Sequence, residues 1–314
     1  MSDAGVGAGA IGTEFPPIVD VKNLNVVFGS FFAVKDVSFF VNKGEIFGFL
    51  GANGAGKTTT IRVICGLICA TSGEVRVDNE HFIPGKEDII KSKVGYMSQK
   101  FTLYKDLTIK ENLDFAAAIH NVPKKAMQKT KQELFELIKI DRGESDLVAE
   151  LPSGIKQQVA LVAALIHNPK LVVLDEPTAG VSPASRAHFW DLIKRLTQIG
   201  KTVFVTTHYM DEAENCDRIA LMRSGELIAV GSVPELKRNT FKRQIYSVTP
   251  KTAFTEEQIQ ALSPKCDLFK PYGIHYHVIL KDDQYVAELE RVAEVVMVEP
   301  SLEDVFVQLV EGDR

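Results

Sequence analysis

The sequence predicts an α/β fold built on a parallel sheet with a helical subdomain, followed by a small α+β domain. Three observations support this prediction. Short apolar segments alternate with helical stretches, and strand, crossover helix and strand in succession are typical of a parallel sheet. An apolar segment that ends at Leu50 leads into a glycine-rich turn and then a helical pattern. After Phe241 the order of strands and helices becomes that of a β-α-β-β-α-β unit.

In the first part of the chain, strands are predicted where a short apolar run is bounded by glycine or polar residues. A helix is predicted over residues 57–67, directly after the glycine-rich turn. Residues 108–150 are predicted to be largely helical, with a break at Pro123 and an amphipathic helix over 129–140, and they form the helical subdomain. The predicted strands are residues 44–50, 73–77, 94–97, 171–174, 202–206 and 219–222.

The last part of the chain carries no nucleotide motif and is predicted to form a separate small domain. His275 and His277 fall on one face of a predicted strand, and we expect that face to be solvated. We divide the chain into a disordered tail (1–17), a main domain (18–240) and an accessory C-terminal domain (241–314). The accessory domain is predicted to hold strands over 244–248, 266–269, 274–280 and 295–298 and helices over 255–262, 284–292 and from 302 onwards.

Composition and charge narrow the classes of function. A net charge of −5 argues against a general nucleic-acid partner, since such proteins usually carry a basic excess. Four cysteines in 314 residues do not make a disulfide framework, which predicts a reducing, cytosolic compartment. No apolar run reaches the length of a bilayer span, and the first residues lack the basic start of a secretory signal. We therefore expect any membrane-spanning part of the system to be another chain.

The strongest motif is the glycine-rich turn, which matches G-x-x-x-x-G-K-[ST] between a predicted strand and a predicted helix. Its glycines let the backbone bend so that successive N–H groups point at phosphate oxygens, and the positive end of the helix adds to the attraction. Lys57 supplies charge to the β- and γ-phosphates, and Thr58 supplies a hydroxyl ligand for Mg²⁺. The sequence thus predicts a site for ATP and Mg²⁺. The residues of the motif are Gly51, Ala52, Asn53, Gly54, Ala55, Gly56, Lys57 and Thr58.

The partner carboxylates are predicted far downstream, at the end of the apolar run 171–174. Asp175 follows this predicted buried strand and is the expected source of a second Mg²⁺ contact, through water. Glu176, the next residue, is placed to polarise an attacking water as the general base. An apolar run that ends in two acids is common by itself, but together with the phosphate loop it indicates nucleotide hydrolysis.

Five ordered motifs make the chain resemble the nucleotide-binding subunits of ABC transporters over roughly residues 19–238. Residues 51–59, which add Thr59 to the loop, resemble the family's phosphate loop. The segment 175–180 resembles its Walker B strand end and the following turn. The other three motifs are residues 96–99, similar to the Q-loop, 206–208, similar to the segment of the switch histidine, and 151–157, which stand where the signature motif belongs.

The resemblance implies a mechanism and further site residues. Phe28 would stack on adenine, and Gln99 would sense the γ-phosphate and contact Mg²⁺. His208 would hold the γ-phosphate and the attacking water in line. Two such domains would face each other head to tail, as a homodimer or a heterodimer, so that the signature residues Ser153 and Gly154 of one subunit complete the ATP site of the other. ATP would close this dimer and hydrolysis would release it.

Further segments of the sequence resemble the exporter ATPases linked to drug and antibiotic efflux, a group that carries a small C-terminal domain. The segments that carry this likeness are 95–104, 107–113, 207–214 and 300–306. The likeness implies export through a separate integral-membrane permease, with this chain bound peripherally at the cytoplasmic face of the inner membrane. Phe101, Leu103 and Tyr104 follow Gln99, in a region that in the family forms a groove for a short permease helix, so we expect them to form a docking surface.

Two departures from the family pattern bear on turnover. Pro152 stands where the signature usually has Ser, and it has neither a hydroxyl nor an N–H group to donate to a facing γ-phosphate. Ile155 replaces the usual Gln. Ser182 stands where an Asp usually crosses the dimer interface; it can cap a helix but carries no charge.

Three alternatives to a homodimeric transport ATPase therefore stay open. One is a heterodimer in which a second subunit brings a better signature. Another is a regulatory ATP-binding module with little turnover. The third is a soluble ABC-type ATPase outside transport, although neither a second nucleotide domain nor a basic arm is present in the sequence.

Overall fold

The computed structural model describes residues 16–99 and 103–311, the last two by their backbone alone. The predicted tail thus lies outside the described residues except for Pro16 and Pro17. The chain divides into two compact units, Met1–Gly231 and Ser232–Arg314. This boundary precedes the one predicted at Phe241, because the helix between the two positions is grouped with the second unit. The assignment of functional domains stays a prediction.

The first unit holds a central parallel sheet, an antiparallel sheet and a set of helices. Its strands are β1 (Val19–Phe28), β2 (Phe31–Val41), β3 (Ile46–Leu50), β4 (Ser72–Val77), β5 (Glu80–His81), β6 (Val94–Met97), β7 (Leu171–Asp175), β8 (Thr202–Thr207), β9 (Arg218–Arg223) and β10 (Glu226–Ser232). Its helices are α1 (Lys57–Ile64), α2 (Glu87–Lys91), α3 (Ile109–Ile119), α4 (Lys124–Ile138), α5 (Ser153–Leu165), α6 (Pro183–Gln198) and α7 (Met210–Ala213).

The central sheet brings separate motifs to one edge. Its order is β10-β9-β3-β8-β7-β6, and the pairs from β9 to β6 are parallel. The register places Leu50 opposite Thr207 and Asp175 opposite Thr206. The carboxyl ends of β3, β7 and β8 therefore meet at one edge, which is where open parallel sheets bind their ligands.

An aromatic cluster fixes the strand that leads into the phosphate loop. Phe39 of β2 packs against Phe47 and Phe49 of β3 and Phe204 of β8, with ring centroids 5.4–6.1 Å apart. These rings lie in the buried core, where each contributes a large apolar area and a preferred ring geometry. The cluster joins the antiparallel sheet, ordered β2-β1-β4-β5, to the central sheet.

Two predicted helices have different bounds in the structure. Helix α1 ends at Ile64 because the chain turns at Gly66, whose φ of +69° is left-handed, and Leu67 N–H closes the turn on Arg62 O at 2.8 Å. Helix α4 begins directly after Pro123, its N-cap, which is earlier than the predicted residue 129. Most of residues 139–152 are not helical. Within 16–99 and 103–311, no helix is both long and apolar enough to cross a bilayer.

The second unit follows the predicted order of strands and helices after its first helix. Its four-stranded sheet has the order β12-β13-β11-β14 and its pairs are antiparallel. A separate core forms around Tyr246, Val278 and Leu289. The elements are α8 (Val233–Thr240), β11 (Ile245–Pro250), α9 (Glu256–Leu262), β12 (Cys266–Tyr272), β13 (His275–Leu280), α10 (Val286–Val292), β14 (Ala293–Val298) and α11 (Leu302–Glu311).

The expectation of a solvated histidine face is wrong for His277. Its side chain is buried, and Nδ1 lies 2.8 Å from Asp304 Oδ1. Asp304 Oδ2 also accepts from the N–H and hydroxyl of Ser301, which precedes helix α11. Part of the family-like segment 300–306 thus joins the last helix to the sheet of its own unit.

Candidate functional site

The phosphate loop runs from the end of β3 to the start of α1, as the motif predicts. Lys57 is 4% exposed, and its Nζ donates to Gly51 O at 2.7 Å and to Ala52 O at 3.1 Å. Burial lowers the pKa of Lys57, while the carboxylates of Glu176 and Asp175 oppose this shift. The ammonium group is thus held inside the loop, near the carboxylates at the end of β7.

The loop has the geometry that phosphate binding requires. Gly56, the N-cap of α1, has a φ of +104° and receives no side-chain cap, which leaves the first N–H groups of the helix for another acceptor. A Cβ on Gly56 would lie 2.5 Å from Ala33 O, so that only glycine fits there. A Cβ on Gly54, at the tip of the loop, would meet no atom within 4 Å. The loop therefore has one tightly packed side and one open side, and it fits a phosphate group.

Asp175 lies next to the loop at the end of β7. Its Oδ1 accepts from Thr206 Oγ1 at 2.7 Å and lies 3.4 Å from Thr58 Oγ1. Its Oδ2 lies 3.5 Å from the hydroxyl of Tyr96. Burial raises the pKa of Tyr96 well above its usual value, with a further contribution from Asp175. The hydroxyl of Thr58 and the carboxylate of Asp175 are oxygen donors side by side, which fits Mg²⁺.

Glu176 brings together the other residues that were predicted to act in hydrolysis. Its Oε2 accepts from Gln99 Nε2 at 2.8 Å and lies 3.3 Å from His208 Nδ1, and its Oε1 lies 3.8 Å from Lys57 Nζ. His208 Nδ1 is buried without an aligned hydrogen bond to the described residues. Gln99 is thus beside Glu176 here, and the structure does not place it against Asp175 and Thr58.

The backbone at Glu176 is held in an unusual conformation. Its φ is +46°, a left-handed value that is uncommon for residues other than glycine, asparagine and aspartate. Its N–H donates to Thr206 Oγ1 at 2.9 Å. Sequence reasoning placed Thr206 in a motif but gave it no role. The signal was its position opposite Asp175 in the parallel register, which only the strand pairing reveals.

The remaining predicted residues lie on other elements: β1, α5 and the start of α6. Phe28 ends β1 and is 55% exposed. Ser153 and Gly154 begin α5, whose N-cap is Pro152 and whose first turn receives no side-chain cap. Ser182 caps α6 by accepting from Ser185 N–H, as expected for a serine at that position. Phe101, one of the predicted docking residues, lies outside the described residues.

Comparison with known proteins gives consistent results. The family model described as ABC transporter matches residues 34–179. The chain is 41% identical over 247 residues to the probable multidrug ABC transporter ATP-binding protein YbhF of Escherichia coli K12. The aligned residues make up 78% of this chain and 42% of YbhF. The chain therefore spans less than half the length of that relative.

Two other relatives match over more of their own length. The linearmycin resistance ATP-binding protein LnrL of Bacillus subtilis is 38% identical over 221 residues, 70% of each chain. The Nod factor export ATP-binding protein I of Rhizobium leguminosarum is 31% identical over 305 residues, 95% of this chain and 96% of its own.

Solved structures resemble about 70% of the chain. A nucleotide-free ATP-binding cassette from an ABC transporter aligns with a TM-score of 0.65 and 29% identity, over 71% of this chain and 94% of its own. The dimeric bacterial ABC transporter cassette MJ0796 aligns with a TM-score of 0.62 and 27% identity, over 68% of this chain and 98% of its own. The motifs, the fold and the relatives agree, and the chain belongs to the ATP-binding proteins of the ABC transporter family.

Proposed function

We propose that this chain hydrolyses ATP and drives an exporter whose membrane-spanning permease is a separate chain. The observation that carries the proposal is the position of Glu176, which lies within 4 Å of Lys57, Gln99 and His208 at the edge where the phosphate loop ends. The names of the relatives, which refer to multidrug transport, linearmycin resistance and Nod factor export, support export. The permease itself and a position at the cytoplasmic face of the inner membrane follow from family likeness.

Each site residue has a distinct task in this proposal. Lys57 and the loop N–H groups bind the phosphates, and Thr58 and Asp175 hold Mg²⁺, which when bound neutralises charge on the phosphate oxygens. Glu176 accepts the proton of the attacking water. Gln99 and His208 both contact Oε2 of Glu176 and are placed to orient that water beside it.

The proposed active form is a dimer in which α5 of one subunit faces the phosphate loop of the other. Ser153 and Gly154 keep their N–H groups at the uncapped start of α5, so that part of the signature's donor set survives Pro152. The dimeric cassette MJ0796 supports such an assembly. Whether the second subunit is identical is decided by the concentration dependence of turnover.

Specific ATPase activity of the purified chain is expected to rise with protein concentration, since two copies build each site. The measurement is the initial rate of phosphate release per mole of chain over a wide concentration range with excess Mg²⁺. A specific rate that stays flat at a measurable level would contradict the dimeric site. Binding of ATP without turnover at any concentration would favour completion by a different subunit or a regulatory module.

Phe28→Ala is expected to weaken ATP binding roughly fivefold to a hundredfold, the usual cost of losing base–aromatic stacking. Phe32 provides the matched control, because it is 52% exposed in the same hairpin. Phe32 lies opposite Val27 in the register, whereas Phe28 lies opposite Phe31. Because successive side chains of a strand point to opposite faces, Phe32 lies on the other face of the hairpin from Phe28. Equilibrium binding of a fluorescent ATP analogue measures both variants. A larger loss of ATP affinity for Phe32→Ala than for Phe28→Ala would contradict this prediction, since the adenine would then lie on the face of Phe32.

A groove beside the helical subdomain is the proposed docking place of the permease. It has a volume of about 910 Å³, and Tyr96, Ile119 and His167 contribute to its lining. Ile119 is 61% exposed there. Tyr104, one of the predicted docking residues, does not line this groove; it is exposed on the same helical part of the chain and packs edge-on against Phe115 with ring centroids 5.0 Å apart. Exposed aromatic and aliphatic side chains of this kind are typical of protein interfaces.

A further inference from the structure

Glu212 is a buried acid close to the hydrolytic residues, and the motifs assign it no role. Its side chain is 2% exposed, and it lies in the short helix α7 after His208. Oε1 accepts from Thr178 Oγ1 at 2.6 Å, and Oε2 accepts from Thr207 Oγ1 at 2.6 Å. We propose that Glu212 is a positioning residue that fixes Glu176 and His208 relative to each other, and this inference rests on the function proposed above.

The two hydroxyl groups belong to the two segments that must be aligned. Thr178 lies in the turn that follows Glu176, two residues further along the chain. Thr207 directly precedes His208, and its hydroxyl also accepts from Tyr209 N–H at 3.0 Å. One carboxylate therefore holds the turn after the proposed base and the strand end that carries the histidine. Short hydrogen bonds to a charged acceptor are the strong ones, so that this link is stiff.

An arginine on a third element supplies the opposite charge. Arg186, in the first turn of α6, places Nε 3.3 Å from Glu212 Oε1. Its guanidinium lies over the ring of Tyr209, 4.1 Å from the centroid, and that ring is 4.1 Å from the ring of His208. The contacts thus run from Glu212 through Arg186 and Tyr209 to the side chain of His208, in addition to the backbone link through Thr207.

A carboxylate suits this position better than an amide does. Both threonine hydroxyls donate, so Glu212 must accept at both oxygens, whereas a glutamine would turn an N–H₂ donor towards one of them. Glu212→Gln would also leave Arg186 without its nearest anion. Because ATP binding depends on the phosphate loop and Phe28, we expect the replacement to disturb the alignment of the hydrolytic residues and to leave ATP affinity largely intact.

Glu45 offers a matched control for the effect of removing a buried acid. It is 9% exposed and pairs with Arg218, whose Nη1 lies 3.0 Å from Glu45 Oε1. The guanidinium of Arg218 also lies over an aromatic ring, that of Phe40, at 4.3 Å. Glu45 precedes β3 at the end opposite the phosphate loop. Glu45→Gln therefore removes the same kind of charge pair far from the proposed site.

The experiment compares steady-state ATPase kinetics and melting temperatures of the two variants. Glu212→Gln is expected to lower kcat about tenfold or more, as for partners that orient metal ligands, with KM for ATP changed less than about twofold. Both replacements are expected to lower the melting temperature, and by similar amounts. Glu45→Gln is expected to keep the wild-type kcat. Equal kcat values for Glu212→Gln and wild type, or a rise in KM alone, would overturn the positioning role.

A pair of variants at Thr178 tests the inference if Glu212→Gln fails to fold. Thr178→Ser keeps the hydroxyl donor, whereas Thr178→Val keeps nearly the same shape without it. We expect kcat to fall for the valine variant and to stay near the wild-type value for the serine variant. Equal kcat in the two would overturn the inference. The underlying function is tested separately. A purified wild type without turnover would count against hydrolysis by two copies of this chain, whereas an inactive Glu212→Gln beside an active wild type would leave the proposed hydrolysis intact.

Discussion

Glu176→Gln is expected to lower kcat for ATP hydrolysis about a hundredfold or more, the scale of general-base catalysis. Glutamine keeps the shape of the side chain and a carbonyl oxygen that can accept from Gln99, but it cannot take a proton from water. Binding is expected to persist or to become tighter, because one negative charge is removed 3.8 Å from Lys57 Nζ, beside the expected position of the phosphates. Single-turnover hydrolysis and equilibrium binding of ATP measure the two effects.

The neighbouring Asp175→Asn provides the contrast. The carboxylate of Asp175 is predicted to hold Mg²⁺ together with Thr58. The asparagine variant is therefore expected to need more Mg²⁺ for half-maximal activity. Glu176→Gln is expected to leave the Mg²⁺ dependence of ATP binding as in the wild type. If the Glu176→Gln variant hydrolyses ATP at the wild-type rate, the base lies elsewhere and the role given to Glu176 is wrong.

Gly56→Ala is expected to destabilise the first unit by about 3 kcal/mol or more, the sum of backbone strain and overpacking. The φ of +104° is unfavourable for alanine, and the added Cβ would lie 2.5 Å from Ala33 O and 2.7 Å from Met222 Cε. A loss of this size is expected to lower the melting temperature by roughly 10 °C and to abolish ATP binding. Thermal unfolding and ATP binding of the purified variant measure both effects.

Gly54→Ala is the matched control in the same loop. Its φ of +81° is also left-handed, but a Cβ there would meet no atom within 4 Å. It is expected to show only the strain, about 1–2 kcal/mol. A melting temperature for Gly56→Ala as high as that for Gly54→Ala would mean that the contact with Ala33 is easily relieved.

The sequence was sufficient for those features that depend on residues close together in the chain. The phosphate loop lies between β3 and α1 where the motif predicts it, because a glycine-rich turn after a buried strand has few other conformations. The two acids lie at the end of a buried strand, as predicted: Asp175 is the last residue of β7 and Glu176 follows it. Helix bounds were less accurate at Gly66 and Pro123, where one residue's backbone preference decides between two plausible ends.

Features that depend on pairing between distant segments were missed. The hairpin of β1 and β2 was not predicted, although its exposed Phe28 was singled out by family likeness. His277 was expected in solvent because alternation along a strand does not say which face is covered. The link from Glu212 to Thr178 joins residues 34 positions apart, and no local pattern announces it. Buried polar networks are visible only when the elements that carry them have been packed together.

The hydroxyl of Thr206 has a consequence for how such a site can change over evolutionary time. It donates to Asp175 and accepts from the N–H of Glu176, so that one oxygen atom locates both acids. A shift of β8 would therefore displace both together and preserve the spacing between them. With Asp175 as the proposed Mg²⁺ ligand and Glu176 as the proposed base, a change at Thr206 would alter metal affinity and rate together, and neither would be adjustable alone through this residue.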